Sequence, residues 1–425
     1  MPAGGAVVGT VRPPGSKSLT NRALMVATLA EGRSTLTDVG LSDDTRVMAE
    51  TLKTLGIQVT VDPAARRMDV DGCGGRLPPG PKDLDTGESG TTTRFVTALV
   101  AVGRGRYRID AAPRMRERPI QDLLDALQAL GARAVSEAGT GCPPVVVETE
   151  GLSGGEVSVR GAISSQFLSA LLMVSPAARA PAAIHVAGEL VSKPFVDMTL
   201  AVMADFGVDV ARDGYARFGV AAPLLYRGRQ YAVEPDAASA SYFLAAAAAT
   251  GGRVTVEGLT RRSTQGDARF ADVLREMGCR VHWTARGVTV EGPERLRGVQ
   301  LDMNALPDLV VTLAPLALFA RGRTVIQNVA NLRVKECDRL SALATELART
   351  GARVEEHPDG LTIEPPDEVR PAEFATYNDH RMAMGMALVG LRVPGVRIAD
   401  PDCVAKTYPG FFDDLDALVA RSRAP

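Results

Sequence analysis

The sequence is poor in several residue types, and each shortage rules something out. Its five cysteines, Cys73, Cys142, Cys279, Cys337 and Cys403, are scattered and odd in number, which fits a reducing compartment and excludes a disulfide framework. The four histidines show no HxxxH spacing and the cysteines no CxxC spacing, so no metal site is expected. No apolar run is long enough to span a bilayer. The N-terminus MPAGGAVVGTVRPPGSKS lacks a basic start followed by an apolar stretch, so no signal peptide is expected and the chain is placed in the cytoplasm. A net charge of −2 gives no bulk attraction to nucleic acid or membrane. Aromatics make up only 4% of the residues, beside abundant Ala and Arg, a bias read as genomic rather than functional. GxxxxGK[ST] and a GxGxxG after a strand are absent, which excludes a Walker loop and a dinucleotide fingerprint, and no nucleophile elbow is read.

What the sequence does contain is a repeat. At 425 residues it is too long for one ordinary core, and two domains are expected. Amphipathic runs with apolar residues at i, i+3, i+4 and i+7 end in Gly at Gly56, Gly131, Gly207, Gly278 and Gly351, at intervals of 75, 76, 71 and 73 residues. Each reads as a surface helix closed by a left-handed glycine. Short β-like runs flank each one, such as STLTDV before and QVTVD after the first. A sixth, partial copy is VRIADPDCVAKTYPGFFDDLDALVA. Between these lies a second helix series starting at Ser18, Thr91, Ser165, Ala237, Pro307 and Asp379, spaced by 73, 74, 72, 70 and 72 residues. These helices are apolar on most sides and are therefore expected to be buried. Helices enclosed on all sides suit a closed globule better than the rival solenoid. Three units sharing a core of buried helices would make each of two domains.

The chemistry gathers at the starts of the second series. A helix N-terminus carries free N–H groups and partial positive charge, a ready anion site. Near these starts stand PGSKSLTNR, GESGTTTR, SSQ, NALPD and YNDHR. A single Ser or Thr there is as well explained by N-capping; recurrence at six equivalent positions argues for more. Arg and Lys beside small hydroxyl residues suit phosphate and carboxylate. Further basic clusters, PRMRERP, LVSKP, NLRVKECDR and VAKTYP, precede the surface helices. Their arginines are interleaved with Pro, Met and Glu in tight loops, which favours a shaped site over a solvated face.

In this order PGSKSLTNRAL, GTTTR, PRMRERPI, SSQFLSALLM, LVSKPF, DAASASYFLAAAA, RVKECDRL, YNDHRMAM and AKTYPG resemble the EPSP synthase family over essentially the whole chain. The related UDP-N-acetylglucosamine enolpyruvyltransferases, the alternative reading, lack the KSxxNR, SSQ and DHRMAM set. The resemblance implies an α/β fold of two globular domains. Each would hold three βαβαββ units around buried helices, an inside-out barrel-like arrangement, with a ligand cleft between the domains. The implied crossings lie near Pro13–Pro14 and Pro235–Asp236, giving one domain of residues 15–235 and another of 1–14 with 236–425. The implied activity joins phosphoenolpyruvate to shikimate 3-phosphate, with no metal or organic cofactor, no nucleic-acid or membrane partner, glyphosate as a competitor, and a monomeric enzyme.

Carried over by motif, shikimate 3-phosphate contacts fall on Lys17, Ser18, Arg22, Ser164, Ser165, Gln166, Ser192, Asp308, Asn331 and Lys335. Phosphoenolpyruvate contacts fall on Lys17, Gly90, Arg118, Gln166, Arg339, Arg381 and Lys406. The catalytic candidates are Lys17, Asp308, Glu336 and Lys406, with the division of proton transfers among them open. Lys17 is expected to be replaceable without cost to the fold. Four positions depart from the family's usual pattern. Glu88 stands where Asn is common, Phe95 for Pro, Phe195 for Tyr and Cys337 for Thr. They bear on substrate affinity and inhibitor response rather than on the reaction class, and Cys337 reads as a small buried residue.

Overall fold

A helix that is apolar on every face is stable only when other elements enclose it. The computed structural model, which describes residues 4–423, encloses six of them. The chain divides into a central unit, Gly15–Val233, and a discontinuous unit made of the residues up to Pro14 with those from Glu234 onward. The second crossing therefore follows Val233, two residues ahead of Pro235. Each unit has its own apolar core. Among the described residues no helix is long and apolar enough to cross a membrane.

In the central unit the buried helices are α1 (Lys17–Leu29), α3 (Gly90–Val100) and α5 (Ser165–Val174); they alternate with α2 (Asp43–Leu55), α4 (Gln121–Ala129) and α6 (Lys193–Asp205), which keep a partly exposed face. Three four-stranded sheets accompany them on one plan. In the clearest copy Lys82–Asp85 runs parallel to Gly105–Asp110, which is antiparallel to Val145–Thr149, itself antiparallel to Arg133–Ser136. A parallel pair needs a crossover, and the buried helix supplies it. The order along the chain is strand, buried helix, strand, half-exposed helix, then a hairpin. The sheet beside α1 takes its opening strand from Gln230–Ala232, the far end of this unit's sequence, paired to Arg33–Thr37.

The discontinuous unit repeats the plan with α7 (Ala237–Thr250), α8 (Phe270–Glu276), α9 (Val310–Ala317), α10 (Arg339–Ala348), α11 (His380–Gly390) and α12 (Phe411–Arg423). Its first sheet opens with Val8–Val11, parallel to Arg253–Glu257. Its second pairs Gln300–Asp302 with Thr324–Gln327 in the same way. The partial sixth copy keeps only the parallel pair Glu373–Phe374 with Arg397–Ile398.

The expected helix boundaries hold with two revisions. All five closing glycines have left-handed φ, from 91° at Gly207 to 102° at Gly56. Ser16, Ser89, Ser164, Asp236 and Asp379 cap their buried helices, each accepting a first-turn N–H. The helix expected from Pro307 instead begins with a 3-10 turn, Pro307–Leu309, and α9 starts at Val310 without a side-chain cap. The carboxylate that could have capped it, on Asp308, is engaged by cations. The GDARFADVLREMG helix likewise opens with a 3-10 turn, Gly266–Arg269, so only Phe270–Glu276 is α-helical.

Close packing of α11 on α9 depends on one absent side chain. A Cβ at Gly385 would run into the carbonyl oxygen of Val311, a backbone atom that cannot rotate away. Gly385→Ala is therefore expected to destabilise the discontinuous unit by about 1–3 kcal/mol, a fall of roughly 2–12 °C in its thermal midpoint. An unchanged midpoint would show that the two helices separate at no cost.

Candidate active site

The first two turns of α1 place Lys17, Ser18 and Arg22 within six residues, and the fold treats them differently. The Lys17 ammonium is 2.9 Å from Asp44 Oδ2, with only 13% and 4% of the two side chains exposed. Asp44 comes from the first turn of α2, where an acid is ordinary for the helix dipole, so no local pattern marks it as the partner. This corrects the expectation that Lys17 is structurally dispensable: removing it would leave a buried carboxylate without its ammonium.

Arg22 is 2% exposed and meets only neutral partners. Its Nε donates to Thr199 Oγ1 at 2.7 Å, Nη1 to the Ser18 carbonyl at 3.1 Å, and Nη2 to the Phe195 carbonyl at 3.1 Å and Ser169 Oγ at 3.5 Å. The guanidinium also lies against the rings of Phe95 and Phe195, 5.4 and 5.9 Å from their centroids. Both departures from the family pattern thus serve as faces for this cation. Desolvation pulls the group down to about 9, so the site favours an anion that would restore its charge.

At the start of α3 the Arg118 guanidinium covers Gly90. A Cβ on Gly90 would lie 2.8 Å from Arg118 Nη1 and 3.1 Å from Cζ. Glu88, just before the Ser89 cap, is exposed. Gln166, in the first turn of α5, is held from both sides: Arg94 Nη1 donates to its Oε1 at 2.6 Å, and its Nε2 donates to Thr91 Oγ1 at 3.2 Å. Arg94 therefore fixes the orientation of the Gln166 amide. Ser164 caps α5 and Ser165 is buried in its first turn. Ser192, 5% exposed, sits before α6 at φ 56°, ψ 41°. A left-handed conformation costs a residue with a Cβ about 1–2 kcal/mol, strain of the kind held at functional loops.

The discontinuous unit gathers its candidates more tightly. Arg339 is 1% exposed and donates to three carboxylates: Nε to Asp379 Oδ2 at 2.7 Å, Nη1 to Asp308 Oδ1 at 2.8 Å and Nη2 to Glu336 Oε2 at 2.9 Å. Asp308 in turn faces three cations, with Lys335 at 3.3 Å, Arg339 at 2.8 Å and Arg381 at 3.4 Å. Burial alone would raise the Asp308 carboxyl; Lys335, Arg381 and Arg339 outweigh it and hold the group well below the usual carboxylate range. For Arg339 burial acts to lower the value, and Asp379, Glu336 and Asp308 more than reverse it.

Lys406 is 7% exposed on the turn Pro401–Lys406, which packs against α11. Asn331 lies on the turn Ala330–Val334, four residues before Lys335. Cys337 lies beside Asp379, its Sγ 3.6 Å from Oδ2, and burial pushes its thiol well up. It is half-buried rather than the fully buried small residue expected, because it sits in the loop before α10, and its raised thiol opposes reactivity. Two residues escaped sequence reasoning here. Asp379 was visible only as a helix start, yet it both caps α11 and pairs with Arg339. Asp267 is 6% exposed and lies in the electrostatic reach of Arg381 and Asp308. Among the described residues no group of three or more His, Cys, Asp or Glu is arranged to hold a metal ion.

Two separate sets of buried cations, each at the starts of helices, describe a protein that handles small polyanions. The fold is that of the enolpyruvyl transferases. The solved EPSP synthase of Acinetobacter baumannii superposes with a TM-score of 0.82 at 24% identity, covering 98% of this chain and 97% of that one. The enolpyruvyl transferase NikO of Streptomyces tendae gives 0.77 at 22%, covering 98% and 96%. Sequence comparison is more specific. The 3-phosphoshikimate 1-carboxyvinyltransferase of Nostoc punctiforme is 48% identical over 406 residues, 96% of this chain and 95% of that protein. The enzyme of the same name from Shewanella baltica is 48% identical over 419 residues, 97% of each. The family profile described as EPSP synthase (3-phosphoshikimate 1-carboxyvinyltransferase) matches residues 2–415, and the chain belongs to that family.

The threefold sharing of Asp308 has a direct consequence. Asp308→Asn leaves three cations facing a neutral group and is expected to cost about 3–5 kcal/mol, read by urea denaturation at pH 7. A carboxylate whose folded value is depressed contributes its stability above its unfolded value and loses it as pH falls through the folded value. The gap between wild type and variant should therefore persist at neutral pH and narrow only below about pH 4. Equal stabilities at pH 7 would mean that the cations do not depend on this carboxylate.

Proposed function

We propose that this protein transfers the enolpyruvyl group of phosphoenolpyruvate to the 5-hydroxyl of shikimate 3-phosphate, releasing phosphate, in the pathway to the aromatic amino acids. The observation that carries the reading is the Asp308 carboxylate shared by Lys335, Arg339 and Arg381, in a chain whose relatives carry the name of that activity. The competing acceptor, a UDP-linked amino sugar, finds no support among those names.

Shikimate 3-phosphate is assigned to Lys17, Ser18, Arg22, Ser164, Ser165, Gln166, Ser192, Asp308, Asn331 and Lys335. Arg22, a buried guanidinium with only neutral partners, suits a carboxylate. Phosphoenolpyruvate is assigned to Lys17, Gly90, Arg118, Gln166, Arg339, Arg381 and Lys406. Its phosphate and carboxylate match guanidinium forks and ammonium point charges. The helix start at Gly90 offers backbone N–H groups.

The reaction is redox-neutral and asks nothing of a metal. The 5-hydroxyl oxygen bonds to C2 of phosphoenolpyruvate, its proton leaves to a base, and C3 gains a proton. The tetrahedral adduct then loses a C3 proton and expels phosphate, re-forming the double bond. A base, an acid and cations for the leaving phosphate are required. Asp308, held ionised by its three neighbours, cannot act as the acid at rest. As a base it is weak while all three cations face it. Substrate anions that draw Lys335 and Arg381 toward themselves would raise its basicity at the moment it is needed. Glu336, Lys17 and Lys406 complete the candidate set. Glyphosate, with a phosphonate and a carboxylate, is proposed to compete for the phosphoenolpyruvate cations. The protein is proposed to work as a monomer in the cytoplasm.

Phosphate release in the presence of both shikimate 3-phosphate and phosphoenolpyruvate tests the assignment. Release with UDP-N-acetylglucosamine but not with shikimate 3-phosphate would overturn it. Lys17→Met should abolish turnover and also lower stability, because Asp44 loses its ammonium. Lys17→Met combined with Asp44→Asn should recover the stability but not the activity. Recovery of turnover in the double variant would remove Lys17 from the chemistry. Gly90→Ala should push the Arg118 guanidinium aside and raise the KM for phosphoenolpyruvate tenfold or more, about 1.4 kcal/mol, with the KM for shikimate 3-phosphate little changed. Equal effects on both substrates would disprove the selective role of Arg118.

A further inference from the structure

Glu346 is a buried acid that the reaction described above does not use. It lies on α10 seven residues after Arg339, about two helical turns along the same face, and is 2% exposed. Its carboxylate reaches the segment that leads into α11. Oε2 accepts from the Ala375 N–H at 3.2 Å and Oε1 from the Tyr377 hydroxyl at 2.8 Å, while Arg349 Nη1 donates to Oε2 at 3.0 Å. Tyr377 is 42% exposed, so packing contributes little to holding it. Burial first, and then Glu346, pushes its phenol up to about 12, so the hydroxyl remains a donor near neutral pH.

The segment needs such a hold. Tyr377 and Asn378 stand in succession at φ 56° and 53°, a conformation uncommon for residues with a Cβ and most so for a bulky ring. Backbone of this kind persists where surrounding contacts fix it. The next residue is Asp379, whose N–H closes the turn on the Thr376 carbonyl at 2.9 Å. Asp379 accepts from the Arg381 N–H at 2.9 Å as the cap of α11, and from Arg339 Nε and Nη2 at 2.7 and 3.2 Å. One helix, α10, thus grips the turn at both ends, through Glu346 at Ala375 and Tyr377 and through Arg339 at Asp379.

We propose that Glu346 is a positioning residue for Arg381. By holding Ala375 and Tyr377 it keeps the turn on its left-handed path, and α11 then begins where the Arg381 guanidinium faces Asp308 at 3.4 Å and meets the substrate anion. This inference rests on the assignment of Arg381 to phosphoenolpyruvate made above. A purely structural role would put the same contacts to work on stability and treat both substrates alike. A role through Arg381 singles out phosphoenolpyruvate, because α11 carries no residue assigned to shikimate 3-phosphate.

The test measures kcat and both KM values in wild type, Tyr377→Phe, Glu346→Ala, Glu346→Gln and the double variant Glu346→Ala with Tyr377→Phe. Tyr377→Phe loses only the hydroxyl tether and should raise the KM for phosphoenolpyruvate about threefold or more, with the KM for shikimate 3-phosphate little changed. Glu346→Ala, which loses both contacts, should raise it about tenfold or more. Glu346→Gln keeps an acceptor for Ala375 and should lie between wild type and Glu346→Ala. Adding Tyr377→Phe to Glu346→Ala should change nothing further, because the two residues act through one contact. If Glu346→Ala does not fold, Tyr377→Phe decides, since its ring is retained at an exposed position. An unchanged KM for phosphoenolpyruvate in Tyr377→Phe, or an equal rise for both substrates, overturns the inference and leaves the proposed reaction standing. Absence of turnover in the wild type fails the proposed reaction instead. Amide exchange then decides between wild type and Tyr377→Phe. Exchange about tenfold faster at Ala375 and Arg381 supports the tether, and unchanged exchange at both overturns it.

Discussion

A guanidinium that is almost wholly buried holds its charge most firmly when carboxylates enclose it, and Arg339 has three. Asp379, Glu336 and Asp308 come from different stretches of the chain, so the one cation fixes the start of α11, the loop before α10 and the turn before α9 in register. Because Asp308 is shared, the same interaction orients Lys335 and Arg381, which are less deeply committed. The cluster is thus preorganised. An anion that enters finds cations already desolvated and aimed, and the reorganisation that water would require has been completed during folding.

The central unit solves the same problem in the opposite way. Arg22 has no carboxylate, only hydroxyl and carbonyl oxygens and two aromatic faces. The desolvation is left uncompensated, which is why its charge is held less firmly than that of Arg339. One unit holds its cations with internal counter-ions and the other leaves its deepest cation wanting one. Strain is stored nearby in both: Ser192 precedes α6 at φ 56°, and Tyr377 and Asn378 precede α11 at 56° and 53°.

The repeat explains why both sets of cations stand at helix starts. Each copy enters its second strand from a buried helix, so each presents that helix's N-terminus at an equivalent place. Ser or Asp caps satisfy some of those N–H groups, and motif residues lie within the next turn. The departure at Pro307 belongs to this logic, since Asp308 gives up capping in order to face three cations.

Much of this was legible in the sequence because it is periodic or local. Apolar spacing marks the helices, their all-round apolarity marks the buried series, and the closing glycines reflect a φ that a Cβ resists. The motifs, which carry the family resemblance, are likewise contiguous. The pairing of Lys17 with Asp44 and the junction of Arg339 with Asp379 forty residues on were not legible. Local pattern shows that Asp44 and Asp379 open helices and stops there. Which cation each acid meets is settled when helices pack, within a repeat for Asp44 and between repeats for Asp379, because Coulomb energy depends on separation in space and on burial, and neither is a property of neighbours along the chain. The sequence alone determined the repeat, the elements and the family; only the tertiary structure decided which charges are matched and which, like Arg22, are buried among neutral partners.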